Sequence, residues 1–223
     1  MPDETKFKVD SLWAKPCRAY HVQHELDQAT IRQITEVQDQ IEATAAGELL
    51  RVPANSLHIT VLTLFPATAD VATPDDALWS QHNETWLERI GDVCAATHPF
   101  AVEFDSIRAA NRAIILRGDG CENLKRFRKK LVAVVSRPGW KPTPPDIVHV
   151  SLFRYARSEL QLETLASVNR YGFVTKTHLK GIAIVQERRY PSLERIFLRR
   201  LALGSSPILA SPPGPVDGQN GTI

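Results

Sequence analysis

The sequence predicts an α+β chain of two sheet-bearing lobes. Three observations carry that reading. Apolar residues recur at helical spacing in some stretches and alternate in others, so both element types are present. The elements come in mixed order, two strand–helix pairs and then a strand-rich second half with two more helices, unlike the regular alternation of a parallel-sheet fold. One short pattern, apolar–His–apolar–hydroxyl–apolar–apolar, occurs in each half, at Leu57 to Leu62 and at Val148 to Phe153.

In chain order, a polar lead-in over 1–16 is followed by Cys17 to Gln23, which has strand character. Ile31, Ile34, Val37, Ile41 and Ala45 then step by threes and fours, one apolar helix face, and Gly47 stands where such a helix stops. Leu57 to Phe65 is dense in apolar and β-branched residues and reads as a strand; Pro66 to Asp76 reads as a loop. Trp86, Leu87, Ile90, Val93 and Cys94 define a second helix, ended by His98-Pro99 because proline has no N–H to continue the ladder.

Phe100, Val102 and Phe104 alternate as a strand, with Ala113 to Leu116 as the expected hairpin partner. Leu124, Phe127, Leu131 and Val134 mark a third helix, with Lys125, Arg126, Arg128, Lys129 and Lys130 expected around its exposed side. Pro138 to Pro145 forms a rigid loop, Ile147 to Tyr155 a strand, and Glu159 to about Arg170 a fourth helix. Leu179 to Gln186 and Arg195 to Leu201 close the fold as a hairpin around Tyr190-Pro191-Ser192. From Gly204 the chain is rich in proline and glycine, so a disordered tail over 204–223 is expected, leaving 17–203 as the folded domain.

Composition bounds the function classes. The chain has 223 residues, 43% hydrophobic and 23% charged, the balance of an ordinary globular protein. Lys plus Arg is 27 against 25 Asp plus Glu, a net +2, which argues against a basic coat for nucleic acid but leaves room for a local basic groove. Cys17, Cys94 and Cys121 stand far apart, with no Cys-x-x-Cys and no Cys/His cluster at zinc spacing, so neither a disulfide framework nor a structural zinc is expected. No apolar run approaches the ~18 residues of a membrane span, and Met1 to Asp10 is too polar for a secretory leader. A cytoplasmic protein without membrane contact is expected. No heptad repeat asks for an oligomer, so a monomer is the default.

The repeated pattern carries the chemistry. Side chains at i and i+2 of a strand share a face. His58 therefore projects with Thr60, and His149 with Ser151. If the two strands lie side by side, two imidazoles and two hydroxyls meet in one concave surface. That set suits a phosphodiester. A neutral imidazole accepts a proton while a protonated one donates, and hydroxyls can bond the non-bridging phosphate oxygens. No metal and no cofactor is called for.

Arg51-Val52-Pro53-Ala54-Asn55-Ser56-Leu57-His58-Ile59-Thr60 resembles the first motif region of the 2H phosphoesterases, among them the bacterial 2′-5′ RNA ligase-like proteins. His149-Val150-Ser151-Leu152-Phe153-Arg154 resembles their second motif. The resemblance, spanning 17–203, implies a bilobal fold in which two pseudo-symmetric, antiparallel-rich sheets surround a central groove, with helices outside. It implies that His58 and His149 are the acid–base pair, Thr60 and Ser151 the phosphate ligands, and Arg154 a substrate contact. The implied activity is metal-independent hydrolysis of a 2′,3′-cyclic phosphate or 2′-5′ phosphodiester of RNA or a nucleotide. The first motif continues Val61-Leu62-Thr63-Leu64-Phe65-Pro66 instead of ending in Phe-Leu-Gly, and the second has Ser in place of the frequent Thr, which leaves the substrate open. A nucleotide-sensing module without turnover, or a phosphodiesterase of cyclic oligonucleotides or another small phosphodiester, would use the same groove.

Periodicity and resemblance part at the end of the second motif. Strict alternation puts Tyr155 on the face of His149 and Ser151, where it could stack on a base, and puts Arg154 on the other. The resemblance favours Arg154, which reaches the groove only if the strand bulges. Both are carried as substrate-binding candidates. Tyr20 reads as packing. His21 and His24 fall on opposite strand faces and make poor metal partners. Arg188, Arg189, Arg195, Arg199 and Arg200 could overhang the groove from the last hairpin.

Overall fold

A computed structural model describes residues 7–45, 47–68, 74–118, 121–160, 164–166, 168 and 172–204. The elements run β1 (Pro16–Glu25), α1 (Gln28–Glu42), β2 (Leu49–Arg51), a single 3₁₀ turn (Ala54–Ser56), β3 (His58–Thr68) and α2 (Pro74–Ala95). Then follow β4 (Phe100–Phe104), β5 (Ser106–Ala110), β6 (Ala113–Gly118), α3 (Glu122–Val135), β7 (Val148–Tyr155), β8 (Thr175–Leu179), β9 (Gly181–Arg189) and β10 (Glu194–Ala202).

Local chemistry explains the helices. Asp27 caps α1 by accepting from the Thr30 amide at 2.8 Å, while Ile34, Val37 and Ile41 bury one stripe. Gly47 follows the helix at φ +76°, a left-handed conformation that suits a residue without Cβ. Trp79, Trp86, Ile90 and Cys94 are the buried side of α2. Their rings join Tyr20, Phe65 and Trp140 in an aromatic core, with Tyr20 stacked on Trp79 at 4.6 Å and Trp86 on Trp140 at 5.1 Å.

The strands form two four-stranded antiparallel sheets, ordered β10-β9-β1-β3 and β2-β7-β6-β5, and a two-stranded β4-β8 ribbon. Each large sheet carries one His motif, on β3 and on β7, and these two strands lie against each other. This is the expected α+β, two-lobed architecture.

Two sequence expectations are corrected. Phe100–Phe104 does not pair with Ala113–Leu116 but with β8, in the register Phe100↔Leu179. The hairpin partner of β6 is β5, Ser106 to Ala110, in which Ile107 is the one β-branched residue, so it carries little strand signature. Gly118 permits the crossing of β4 over β6: a Cβ there would lie 2.1 Å from the Glu103 carbonyl oxygen. On α3, Lys125, Arg126, Lys129 and Lys130 are exposed, but Arg128 is 4% exposed and belongs to the interior. The proline-rich loop is also packed, through Trp140 against Phe65 and Trp86. Within the helix expected over Glu159 to Arg170, residues 164–166 and 168 are helical, while 161–163, 167, 169 and 170 lie outside the described residues, as does the tail from 205 onward.

Candidate active site

The first motif is set up by the turn before it. The 3₁₀ turn at Ala54–Ser56 leaves the Ser56 carbonyl facing the next imidazole, and His58 Nδ1 donates to it at 2.7 Å. A carbonyl can only accept, so Nδ1 carries the proton and the lone pair of neutral His58 sits on Nε2. The Thr60 hydroxyl lies 3.3 Å from that Nε2. Ile59 and Val61 point the other way and are fully buried.

The second motif begins with the same alternation. Val148 and Val150 are buried, while His149 and Ser151 are half-exposed. Then the pattern breaks. Ser151 pairs with Ile115 but Phe153 with Ile114, so Leu152 is an extra residue, a β-bulge. Beyond a bulge the faces exchange. Arg154 therefore joins His149 and Ser151, its Nη2 donating to the Ser151 hydroxyl at 3.4 Å. Tyr155 turns inward, is fully buried, packs on Phe7 at 4.6 Å and donates its hydroxyl to the Ala110 carbonyl at 2.7 Å. Placing Tyr155 on the groove face by strict alternation is thus corrected. Its ring is packing and cannot stack on a base.

The guanidinium of Arg154 lies 5.3 Å from the ring centre of Tyr190, in the β9–β10 turn, so the second lobe's motif reaches across to the first. The lead-in segment closes over it: Asp10 donates its amide to the Tyr155 carbonyl and places its carboxylate 3.7 Å from Arg154 Nε. A cavity of about 210 Å³ adjoins this cluster. Another, of about 540 Å³, adjoins the first motif and is lined by Asn55, Leu57, Arg195, Phe197 and Arg200.

Several residues of this face stand outside the sequence-based set. β1 pairs with β3 in the register Gln23↔Thr60 and His21↔Thr63, which puts Gln23 and His21 on the face of Thr60. His21 Nε2 lies 3.3 Å from the carboxylate of Glu187, which is 3% exposed. Burial pushes that carboxyl upward, but the His21 and Ser192 contacts outweigh burial and hold it below the usual range. The Cys17 thiol, which donates to Glu187 at 3.6 Å, is pushed up to about 12, first by burial and then by that carboxylate. Arg195 donates to Gln23 Oε1 and to the Asn55 carbonyl, both at 2.8 Å. Of the arginines on the last hairpin, Arg195 is the one drawn inward; Arg188, Arg189, Arg199 and Arg200 are exposed. The cross-strand register that brings His21 to the face of Thr60 is absent from local periodicity. His24, on the opposite face, is buried between the Gly181 carbonyl and Thr177.

Burial sets the protonation states. His58 is pushed down to about 4, chiefly by desolvation; the Ser56 hydrogen bond and the Glu187 charge oppose this, while Arg195 and His21 add to it. His149 is also pushed down to about 4, by burial first and then by the positive charges of Arg154 and Arg128. The Ile147 carbonyl pulls the other way, but His149 Nδ1 is buried without a well-formed hydrogen bond. The two imidazoles are thus alike in burial and unlike in surroundings. Among the described residues, no group of three or more His, Cys, Asp or Glu comes together that could hold a metal ion.

The model of the 2′-5′ RNA ligase superfamily matches residues 25–191, which include both His motifs. The chain belongs to the 2′-5′ RNA ligase superfamily. Solved structures agree in fold with this superfamily member. E. coli LigT, solved in complex with 3′-AMP, matches with a TM-score of 0.60 at 14% identity, over 85% of this chain and 99% of LigT. The TT0787 protein of Thermus thermophilus matches with a TM-score of 0.58 at 18% identity, over 83% of this chain and 98% of its own. A phosphoesterase structure gives a TM-score of 0.60 at 16% identity, over 84% and 99% of the two chains. A search of curated proteins found no match. Among the described residues, no helix of this superfamily member is long and apolar enough to cross a membrane.

Proposed function

We propose that this protein is a metal-independent phosphodiesterase that opens a 2′,3′-cyclic phosphate, or cleaves a 2′-5′ phosphodiester, of RNA or a nucleotide by two-histidine acid–base catalysis. The observation that carries the proposal is the unequal environment of two imidazoles in matched His-x-hydroxyl strands. His149 sits beside two guanidiniums and lacks a good bond at Nδ1, so it stays neutral and serves as base. His58 Nδ1–H donates a hydrogen bond to the Ser56 carbonyl, a bond that strengthens when the ring is cationic, so it serves as acid through Nε2.

In the reaction, His149 removes a proton from water as the water oxygen attacks phosphorus. The bond from phosphorus to one ribose oxygen breaks, and His58 Nε2 protonates that oxygen as it leaves. Thr60 and Ser151 donate to the non-bridging oxygens, and Arg154, held at Ser151, balances their charge. The negative phosphodiester itself raises the proton affinity of His58 on binding. The complex of E. coli LigT with 3′-AMP, a ribonucleotide bearing phosphate on its ribose, supports the substrate class.

The test is turnover of nucleoside 2′,3′-cyclic monophosphates and a 2′-5′-linked dinucleotide by EDTA-treated protein. His58→Ala and His149→Ala should each lose on the order of 10²–10⁴ in rate. Full activity in both single variants would refute the assignment. Nucleotide binding without turnover in the wild type would make the protein a sensor instead.

A further inference from the structure

The two motif strands sit in different sheets, and no backbone ladder pairs β3 with β7. A cation joins β3 to the segment that leads into β7 instead. Arg128 Nη2 donates to the Thr60 carbonyl at 2.8 Å and Nε to the Val61 carbonyl at 2.9 Å. From the same guanidinium, Nη1 donates to the Pro145 carbonyl at 3.0 Å and to the Ile147 carbonyl at 3.3 Å. Thr60 is a residue of the first motif, and Ile147 stands two positions before His149.

Geometry explains why arginine occupies this place. Gln23 pairs with Thr60 but Val22 with Leu62, so β3 bulges at Val61. β3 is also the edge of its sheet, which leaves the Thr60 and Val61 carbonyls without a ladder partner on that side. Guanidinium carries five donors in a rigid fork and can hold both segments at once, whereas the single ammonium of lysine cannot span them. Leu124, Leu131 and Val135, on the same helix face, are apolar and fully buried. At such a position a buried cation bonded to neutral carbonyls is a costly way to secure a helix, and an apolar residue of similar volume would pack without that cost.

We propose that Arg128 is a positioning residue: its guanidinium clamps the main chain of β3 to the segment that leads directly into β7 and so sets the separation at which Thr60 and His149 flank the phosphate. This rests on the reading given under Proposed function. The charge of Arg128 also acts on His149, helping to keep the base neutral. Burial pushes Arg128 itself down only to about 10, so it remains charged at neutral pH.

The experiment compares wild type, Arg128→Met and Arg128→Lys. Thermal melts establish folding, steady-state kinetics on a nucleoside 2′,3′-cyclic monophosphate separate kcat from KM, and NMR of ¹⁵N-labelled histidines gives the His149 titration midpoint. Folded Arg128→Met should lose on the order of 10²-fold in kcat with a smaller, few-fold rise in KM, because His149 is displaced from the reacting atoms while Thr60 is shifted among several groups that hold the phosphate. Its His149 midpoint should rise. Arg128→Lys should restore the midpoint, which needs only charge, but not kcat, which needs both segments held. The proposal is overturned if folded Arg128→Met keeps wild-type kcat and midpoint, if Arg128→Lys restores kcat in full, or if neither variant folds, which would make Arg128 a residue of the fold alone. Wild type that binds 3′-AMP but turns over no substrate would sink the phosphodiesterase reading instead. Arg128 is then judged by 3′-AMP affinity: weakening in folded Arg128→Lys supports the clamp, and unchanged affinity overturns it.

Discussion

His58 and His149 are held near a pKa of 4 in the folded chain, against 6.5 for an unperturbed imidazole. The unfolded chain therefore binds protons that the folded chain refuses. For such groups stability is complete above about pH 7 and is lost as pH falls through 6.5 toward 4. Between pH 7.5 and 5.0 each histidine should cost about 2 kcal/mol, so the pair costs about 4. Total stabilities of domains run at about 5–15 kcal/mol, so this loss is readily measured. The assay is urea unfolding at both pH values, for wild type and for His58→Gln/His149→Gln. The double variant keeps His24 and every carboxylate, so the difference between the two pH dependences isolates the pair. Wild type should lose about 4 kcal/mol more than the variant over this range. Equal losses would show that the two imidazoles titrate normally in the fold, and the argument from burial would fail.

Three further outcomes follow from the same geometry. Tyr155→Phe removes only the bond to the Ala110 carbonyl, so it should cost about 1 kcal/mol of stability and leave kcat/KM unchanged; a tenfold fall in kcat/KM would return Tyr155 to the groove. Gln38 is fully buried and donates to the Val52 and Leu152 carbonyls, both at 2.9 Å, so it braces the bulge that aims Arg154. Gln38→Leu should cost about 2 kcal/mol by thermal melt and raise KM through Arg154; an unchanged KM would separate the bulge from binding. Finally, bound phosphodiester should raise the His58 midpoint, so the alkaline limb of the kcat profile should lie at higher pH than that of kcat/KM. Coincident limbs would contradict His58 as the acid.

Much of the fold was legible because it is written at short range. The steps of three and four through Ile34, Val37 and Ile41 require only that one helix face be apolar, and α1 buries those residues. The hairpin around Tyr190-Pro191-Ser192 follows from two strand-forming runs and a turn between them, and β9 and β10 pair as that pattern demands. The pairing of β4 is not legible in that way. Its partner, β8, lies some seventy residues along the chain, and nothing in the alternation of Phe100, Val102 and Phe104 names it.

The candidate site divides the same way. By itself the sequence determined that His58 shares a face with Thr60 and His149 with Ser151, because a strand's period of two is local steric geometry. The tertiary structure alone decided the rest. A bulge at Leu152, braced by Gln38 from another element, turned Arg154 toward Ser151 and buried Tyr155. Cross-strand register brought His21 and Glu187 to the face of Thr60. Arg128 does fall within the spacing of Leu124 and Leu131, but only carbonyls from β3 and from the chain before β7 make burial of its charge tolerable. A buried polar group is stable only where partners meet it, and those partners come from segments far apart in the chain, so local sequence shows which side chains can do chemistry but not which surroundings the fold will give them.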